Sequence, residues 1–246
     1  MAPAELPPLP GAVGLTHLRV YDSVAPDGLA GGTPHLHTVC TEAYWVVSGA
    51  GRVQTISGDG FTETPLEPGA LVWFTPGTIH RLVNDSGDLE ILVVMANRGL
   101  PEAGDMVVVQ RPEVLADRDR YLAAAVLPDG ATTTAGDRSP ADRRRDSAVV
   151  AFNDVRASLD ASDRAPLDHL LARAADLVSV HHATWRQRWE VGPKAAADRT
   201  DAHLRAIASG DGAHLHEASV HRIEPPSAVR GLGCCGTLGT YVPPPH

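Results

Sequence analysis

No apolar run in this chain of 246 residues approaches the roughly 18 needed to cross a bilayer, so no membrane span is expected. Basic charge is also short. The 21 Lys and Arg face 30 Asp and Glu, and a formal net charge of −9 offers no footprint for nucleic acid or an anionic membrane. Cysteine is scarce: Cys40, Cys234 and Cys235 cannot make a disulfide framework, the last two being adjacent, and a reducing cytoplasm is the expected location. The opening MAPAELPPLPGAVG lacks the basic patch and apolar stretch of a signal peptide and reads as a Pro-rich arm over 1–13. The run Arg143, Arg144 and Arg145, flanked by Asp142 and Asp146, reads as a solvated helix face. Histidine, by contrast, is plentiful, with 12 in the chain.

The pattern changes near residue 110. Before it, short β-rich runs such as Leu15–Tyr21, Tyr44–Ser48, Arg52–Ser57, Leu71–Phe74, His80–Asn84 and Leu89–Ala96 alternate with Gly, Pro, Asp and Asn turns. Closely spaced short strands with no helical period between them predict an antiparallel sandwich or barrel over 14–110. After it the period is helical. A short segment from Pro112 to Val126, a capped helix starting at Ser139-Pro140, a long helix from Pro166 to Glu190, another from Ala195 to Ser209 and a last one from Ala213 to Ile223 are expected within 111–226. Leu167, Leu170, Leu171, Ala174, Leu177, Val178, His181, Trp185 and Trp189 form the broadest apolar stripe, which must be covered. The Gly- and Pro-rich 227–246 reads as an extended tail, with Gly231 to Pro245 expected over the same region as the tryptophan helix.

The chemistry concentrates in two segments. On a strand, residues two apart share a face, so His35 and His37 point together into the β-domain, and Glu42 returns to the same cavity after a short excursion. His80 comes from a separate run, Gly69-Ala-Leu-Val-Trp-Phe-Thr-Pro-Gly77-Thr-Ile-His80-Arg-Leu-Val-Asn84. Three imidazoles and a carboxylate suit one divalent Mn, Fe, Ni, Co or Zn ion and are too nitrogen-rich for Mg or Ca. Tyr44 shares the strand face of Glu42, Trp73 is placed in the wall, and Arg52 and Arg81 are the nearby cations, so these four are the candidate substrate-binding residues. Cys40, beside the ligands, reads as a small buried filler.

These segments resemble the two motifs of the cupin superfamily. His35, His37, Glu42 and Gly49 meet the first, and Gly69, Gly77, His80 and Asn84 meet the second. Thr75 stands where the second motif has proline, with Pro76 one place later, and Leu29 stands where a glycine is expected before His35. Neither departure touches a ligand. The resemblance, over about 14–110, implies a cupin β-barrel of jelly-roll type followed by an α-helical C-terminal domain, and a metal held by His35, His37, Glu42 and His80. Cupins host unrelated chemistries. Phe74 to Leu92 looks like the second motif of sugar-phosphate isomerase cupins, which implies a metal that polarises a carbonyl while a base moves a proton, with Glu42 as the catalytic candidate. An Fe(II)-dependent dioxygenase and a non-catalytic module binding a metal or small ligand are the alternatives. The expected partners are a small oxygen-rich substrate and a second copy of the chain in a homodimer, with no nucleic acid and no membrane.

Overall fold

The computed structural model describes residues 8–128, 131, 138–226 and 229–241, so the start of the expected arm and the end of the expected tail lie outside the described residues. Among the described residues eleven strands form two sheets in which every pairing is antiparallel. In chain order, the β-domain contributes β1 (Gly14–Val20), β2 (His35–His37), β3 (Glu42–Ser48), β4 (Gly51–Ser57) and β5 (Gly60–Leu66). It continues with β6 (Leu71–Phe74), β7 (Ile79–Asn84), β8 (Glu90–Met95) and β9 (Met106–Val108). The last two strands, β10 (Gly231–Leu232) and β11 (Gly236–Thr240), come from the C-terminal end. The first sheet runs β10-β11-β1-β8-β3-β6 and the second β5-β4-β7-β2-β9. No strand ladder joins one sheet to the other among the described residues, so the architecture is two facing sheets in jelly-roll fashion and not the closed barrel expected from the sequence.

Alternation decides what each strand delivers. Along β3, Glu42, Tyr44 and Val46 are buried while Trp45 and Val47 are exposed. The inner faces of both sheets meet in one core built from Leu18, Tyr44, Val46, Val53, Leu66, Phe74, Leu82, Ile91 and Val93. The central strand β7 is buried on both faces. Its other face, with Ile56 of β4 and Leu36 of β2, packs under the helices in a second core with Phe152, Leu167, Leu170, Ala174 and Trp185. The molecule therefore has three layers, sheet, sheet and helices.

The helical layer comprises α1 (Pro112–Leu115), α2 (Arg118–Ala125), α3 (Pro140–Asp160), α4 (Ala165–Val178), α5 (His182–Trp189) and α6 (Ala195–Ala208). Ser139 and Asp142 make a reciprocal capping box at the start of α3, with Pro140 in its first turn. The long helix expected from Pro166 to Glu190 is broken by a 3-10 turn at Ser179–His181, and a π-helical stretch at Glu190–Lys194 contains Pro193, which cannot donate to the helix ladder. Trp185 is buried within the chain and its Nε1 donates to Ala103 O across 2.9 Å; Trp189 is half-buried. The helix expected from Ala213 to Ile223 is only a 3-10 turn at Ala213–Glu217.

Two expectations are corrected. The arginine cluster is not a solvated face: Arg144 and Arg145 are buried, and Arg145 donates to Ser23 O and Val24 O while pairing with Asp142 and Asp146. The guanidinium's fixed fork lets one side chain tie the start of α3 to the β1–β2 loop. The tail is not simply extended. Its described residues form a hairpin whose β11 pairs with β1 from Val20↔Gly236 to Thr16↔Thr240. No helix among the described residues is long and apolar enough to cross a membrane.

Candidate metal centre

His35 and His80 are register partners across β2 and β7, while Glu42 begins β3 in the opposite sheet. The four side chains His35, His37, Glu42 and His80 are all buried, and one ligand atom from each lies within 4.8 Å of the others. The closest approaches are His80 Nε2 to His35 Nε2 at 3.0 Å, His80 Nε2 to Glu42 Oε2 at 3.0 Å and His37 Nε2 to Glu42 Oε2 at 3.3 Å.

The outer ring nitrogens decide what fills the middle. His35 Nδ1 lies 2.8 Å from Thr33 O, His80 Nδ1 lies 3.0 Å from Thr78 O, and His37 Nδ1 lies 3.1 Å from Asp105 Oδ2. Each of these oxygens only accepts, so each Nδ1 carries a hydrogen and each Nε2 turns inward, free to bind a metal once its ring is neutral. Three ring nitrogens and a carboxylate oxygen thus converge, with Glu42 Oε2 against both His80 Nε2 and His37 Nε2. Such an arrangement could hold a cation. A divalent transition ion bound by three imidazoles and one carboxylate satisfies all four atoms at once. Without one, a proton on His37 supplies part of the charge. Burial works against that proton, but the Asp105 and Glu42 carboxylates outweigh it and raise the His37 pKa to about 10.

Asp105 was not among the residues singled out from sequence. It is fully buried, and its Oδ1 accepts from Thr38 N at 2.8 Å, Val39 N at 2.7 Å and Thr38 Oγ1 at 2.6 Å while its Oδ2 faces His37. Burial raises its pKa, and the bonds from His37 and Thr38 override that and lower it to about 2. It is an oriented carboxylate that fixes the tautomer of His37, one of the four candidate ligands. Its loop position, 68 residues from His37 in sequence, leaves no local signal.

Of the four substrate-binding candidates the structure brings one to the centre. Tyr44 is buried beside it, with its ring 6.2 Å from that of His80; burial, with the Glu42 charge, pushes its phenol well above the usual range, so it stays protonated. Trp73 is 66% exposed, because it alternates with the inward-facing Phe74. Arg81 follows the inward His80 and so points to the helical side, fully buried against Asp27. Arg52 lies on the same outer face and pairs with Glu63 and Asp85. Cys40 is buried with its thiol pushed up by burial and by Asp105, as suits a filler. Burial also acts to raise the Glu42 pKa, but His80 and His37 hold the carboxyl well below its usual range. A cleft of about 780 Å³ between Thr38, Val39 and the α4–α5 region contains none of the four ligands.

Residues 21–95 match the Cupin domain family. No curated protein matches it. Among solved structures, KdgF from Halomonas sp. is 27% identical over 30% of this chain and 65% of its own, with a TM-score of 0.26. A putative sugar phosphate isomerase from Acidithiobacillus ferrooxidans is 26% identical over 34% of this chain and 49% of its own, with a TM-score of 0.26. An oxalate oxidase is 18% identical over 34% of this chain and 40% of its own, with a TM-score of 0.28. The match thus spans less than two-thirds of each of these proteins.

Proposed function

We propose that this chain is a metal-dependent cupin enzyme that acts on a small oxygen-rich substrate by metal-polarised proton transfer, in the manner of a sugar isomerase or epimerase. The observation that carries the reading is the convergence of three buried imidazole nitrogens and one carboxylate oxygen on a common centre. His35, His37, Glu42 and His80 hold the ion, which when bound supplies a Lewis acid for adjacent substrate oxygens. Tyr44, kept protonated, is a hydrogen-bond donor for a developing oxyanion. Glu42 is a poor base while His37 and His80 hold it, so the ligand role comes first and the base role belongs only to a released carboxylate. Arg52 and Arg81 are both paired on the outer face, which favours a substrate that needs no phosphate clamp.

The test is solvent-deuterium exchange in unphosphorylated aldoses, ketoses and keto acids, followed by NMR on protein loaded separately with Mn, Fe, Co, Ni or Zn, with and without oxygen. Exchange without oxygen that disappears in His80→Ala is the expected result. Turnover that needs oxygen would transfer the site to dioxygenase chemistry. Metal binding with neither exchange nor turnover would make it a binding module.

A further inference from the structure

Cys234 and Cys235 occupy the tip of the β10–β11 hairpin, closed by a 2.7 Å bond from Gly233 N to Gly236 O. The tip is docked against the strand entry to His35. Thr33 N donates to Cys234 O and Tyr21 N to Cys235 O, each at 3.1 Å. Gly233 O accepts from Tyr21 Oη at 3.1 Å and from the buried Arg144 Nη2 at 2.6 Å. Gly32 permits the approach, because a Cβ there would stand 2.7 Å from Cys235 Sγ. Both thiols reach one acceptor: Thr33 O is 3.8 Å from Cys234 Sγ and 3.9 Å from Cys235 Sγ. That same carbonyl accepts from His35 Nδ1, and Cys235 Sγ is itself 3.9 Å from that nitrogen. Cys235 is buried and Cys234 is partly exposed.

We infer that Cys234 and Cys235 form an oxidisable dithiol whose redox state sets how firmly His35 is held as a ligand. The inference rests on the metal-centre reading above. The oxidant is a peroxide. Its O–O bond breaks as Cys234 sulfur takes one oxygen to become a sulfenic acid, and one water leaves. Cys235 sulfur then attacks the sulfenic sulfur, an S–S bond forms, and the hydroxyl leaves with the thiol proton as a second water. Two thiols lose two electrons and two protons in all, and the peroxide is reduced to water. Neighbouring Cα atoms are about 3.8 Å apart, closer than the roughly 4.4–6.8 Å that disulfides prefer, so the bond is strained and easily reduced again. Closing it draws both sulfurs away from Thr33 O and twists the tip peptide whose carbonyl holds Thr33 N. Thr33 O is the group that orients His35, so ligand positioning loosens and metal affinity falls about 10- to 100-fold.

Zinc-loaded protein is the probe, because the ion itself is redox-silent. Hydrogen peroxide should leave the peptide bearing both cysteines about 2 Da lighter. Zinc should pass to a chromogenic chelator about 10- to 100-fold more readily, and dithiothreitol should reverse both changes. Cys234→Ala should keep its zinc under the same treatment. Independent oxidation of the two thiols to sulfinic acids, or a disulfide with unchanged zinc retention, would overturn the inference. Failure of the reduced protein to bind zinc would instead sink the metal-centre reading, and the mass change, read separately, keeps the two failures apart.

Discussion

His37 stands between two carboxylates, Asp105 at 3.1 Å and Glu42 at 3.3 Å, and this would make metal binding at the proposed centre proton-linked. In the metal-free protein His37 keeps a proton up to about pH 10, despite the opposing effect of burial. His80 is lowered to about 4 by burial and by His35, so it is already neutral at pH 7, and Glu42 is ionised. Zinc binding at pH 7 should therefore release about one proton, and affinity should rise with pH until His37 loses its proton unaided. Calorimetry in buffers of different ionisation enthalpy measures that count; a count of zero would contradict the assignment. Stability has the matching sign. The folded pKa of His37 is raised, so its contribution to the metal-free protein is complete below the ordinary histidine value and is lost as pH rises through about 10, whereas a bound ion removes that dependence. Asp105→Asn preserves an acceptor for Thr38 and Val39 but removes the charge facing His37. It should weaken zinc binding about 10- to 100-fold in chelator competition, with little change in fold. His80→Ala should lose nearly all the metal in elemental analysis, since one of the four converging atoms disappears.

Helices and strands show which features local sequence carries. The outward face of the second sheet needs apolar cover, and Phe152 of α3 supplies it without any exposure. Phe152→Ala should cost about 3–5 kcal/mol in denaturant unfolding. The C-terminal hairpin depends on close main-chain contact: a Cβ at Gly236 would meet Arg19 O at 1.9 Å. Gly236→Ala should undock β11 from β1 and expose Cys235 to alkylating reagents, which counting of reactive thiols will show. The cluster of His35, His37, Glu42 and His80 was legible because strand alternation and two short motifs fix it locally, and the same alternation, followed one residue further, turns Arg81 and Trp73 outward from His80 and Phe74. The hairpin was not legible as part of the sheet, since a ladder of backbone bonds needs no apolar pattern and Gly-rich sequence reads as loop. Arg144 and Arg145 were misread for a related reason: their partners are carbonyls of distant loops, Gly233 O for one and Ser23 O and Val24 O for the other.

At the scale of the whole molecule the three layers, among the described residues, leave one sheet face bare. Helices cover the outer face of the second sheet, but on the first sheet Trp45, Val47, Leu71 and Trp73 are 45%, 41%, 58% and 66% exposed. They lie on neighbouring strands: Ala43 pairs with Trp73 and Trp45 with Leu71 across β3 and β6. Each Å² of apolar surface left in water costs about 25 cal/mol, and an exposed patch of aromatic and aliphatic side chains marks an interface. We propose a second copy of this chain as its occupant. β6 ends its sheet, and a two-fold axis beside it would set β6 antiparallel to its own copy, filling both free edges with one self-complementary contact. The patch carries no charge of its own, which suits an identical surface meeting itself. Sedimentation should give a dimer for the wild type and a monomer for Leu71→Glu and Trp73→Glu, with the metal content of each variant unchanged because neither side chain reaches the inner face. Tryptophan quenching separates this from a merely exposed patch. Trp185 is protected within each chain, whereas Trp73 is protected only in a dimer. A monomeric wild type in which acrylamide reaches Trp73 freely would remove the second copy from this face.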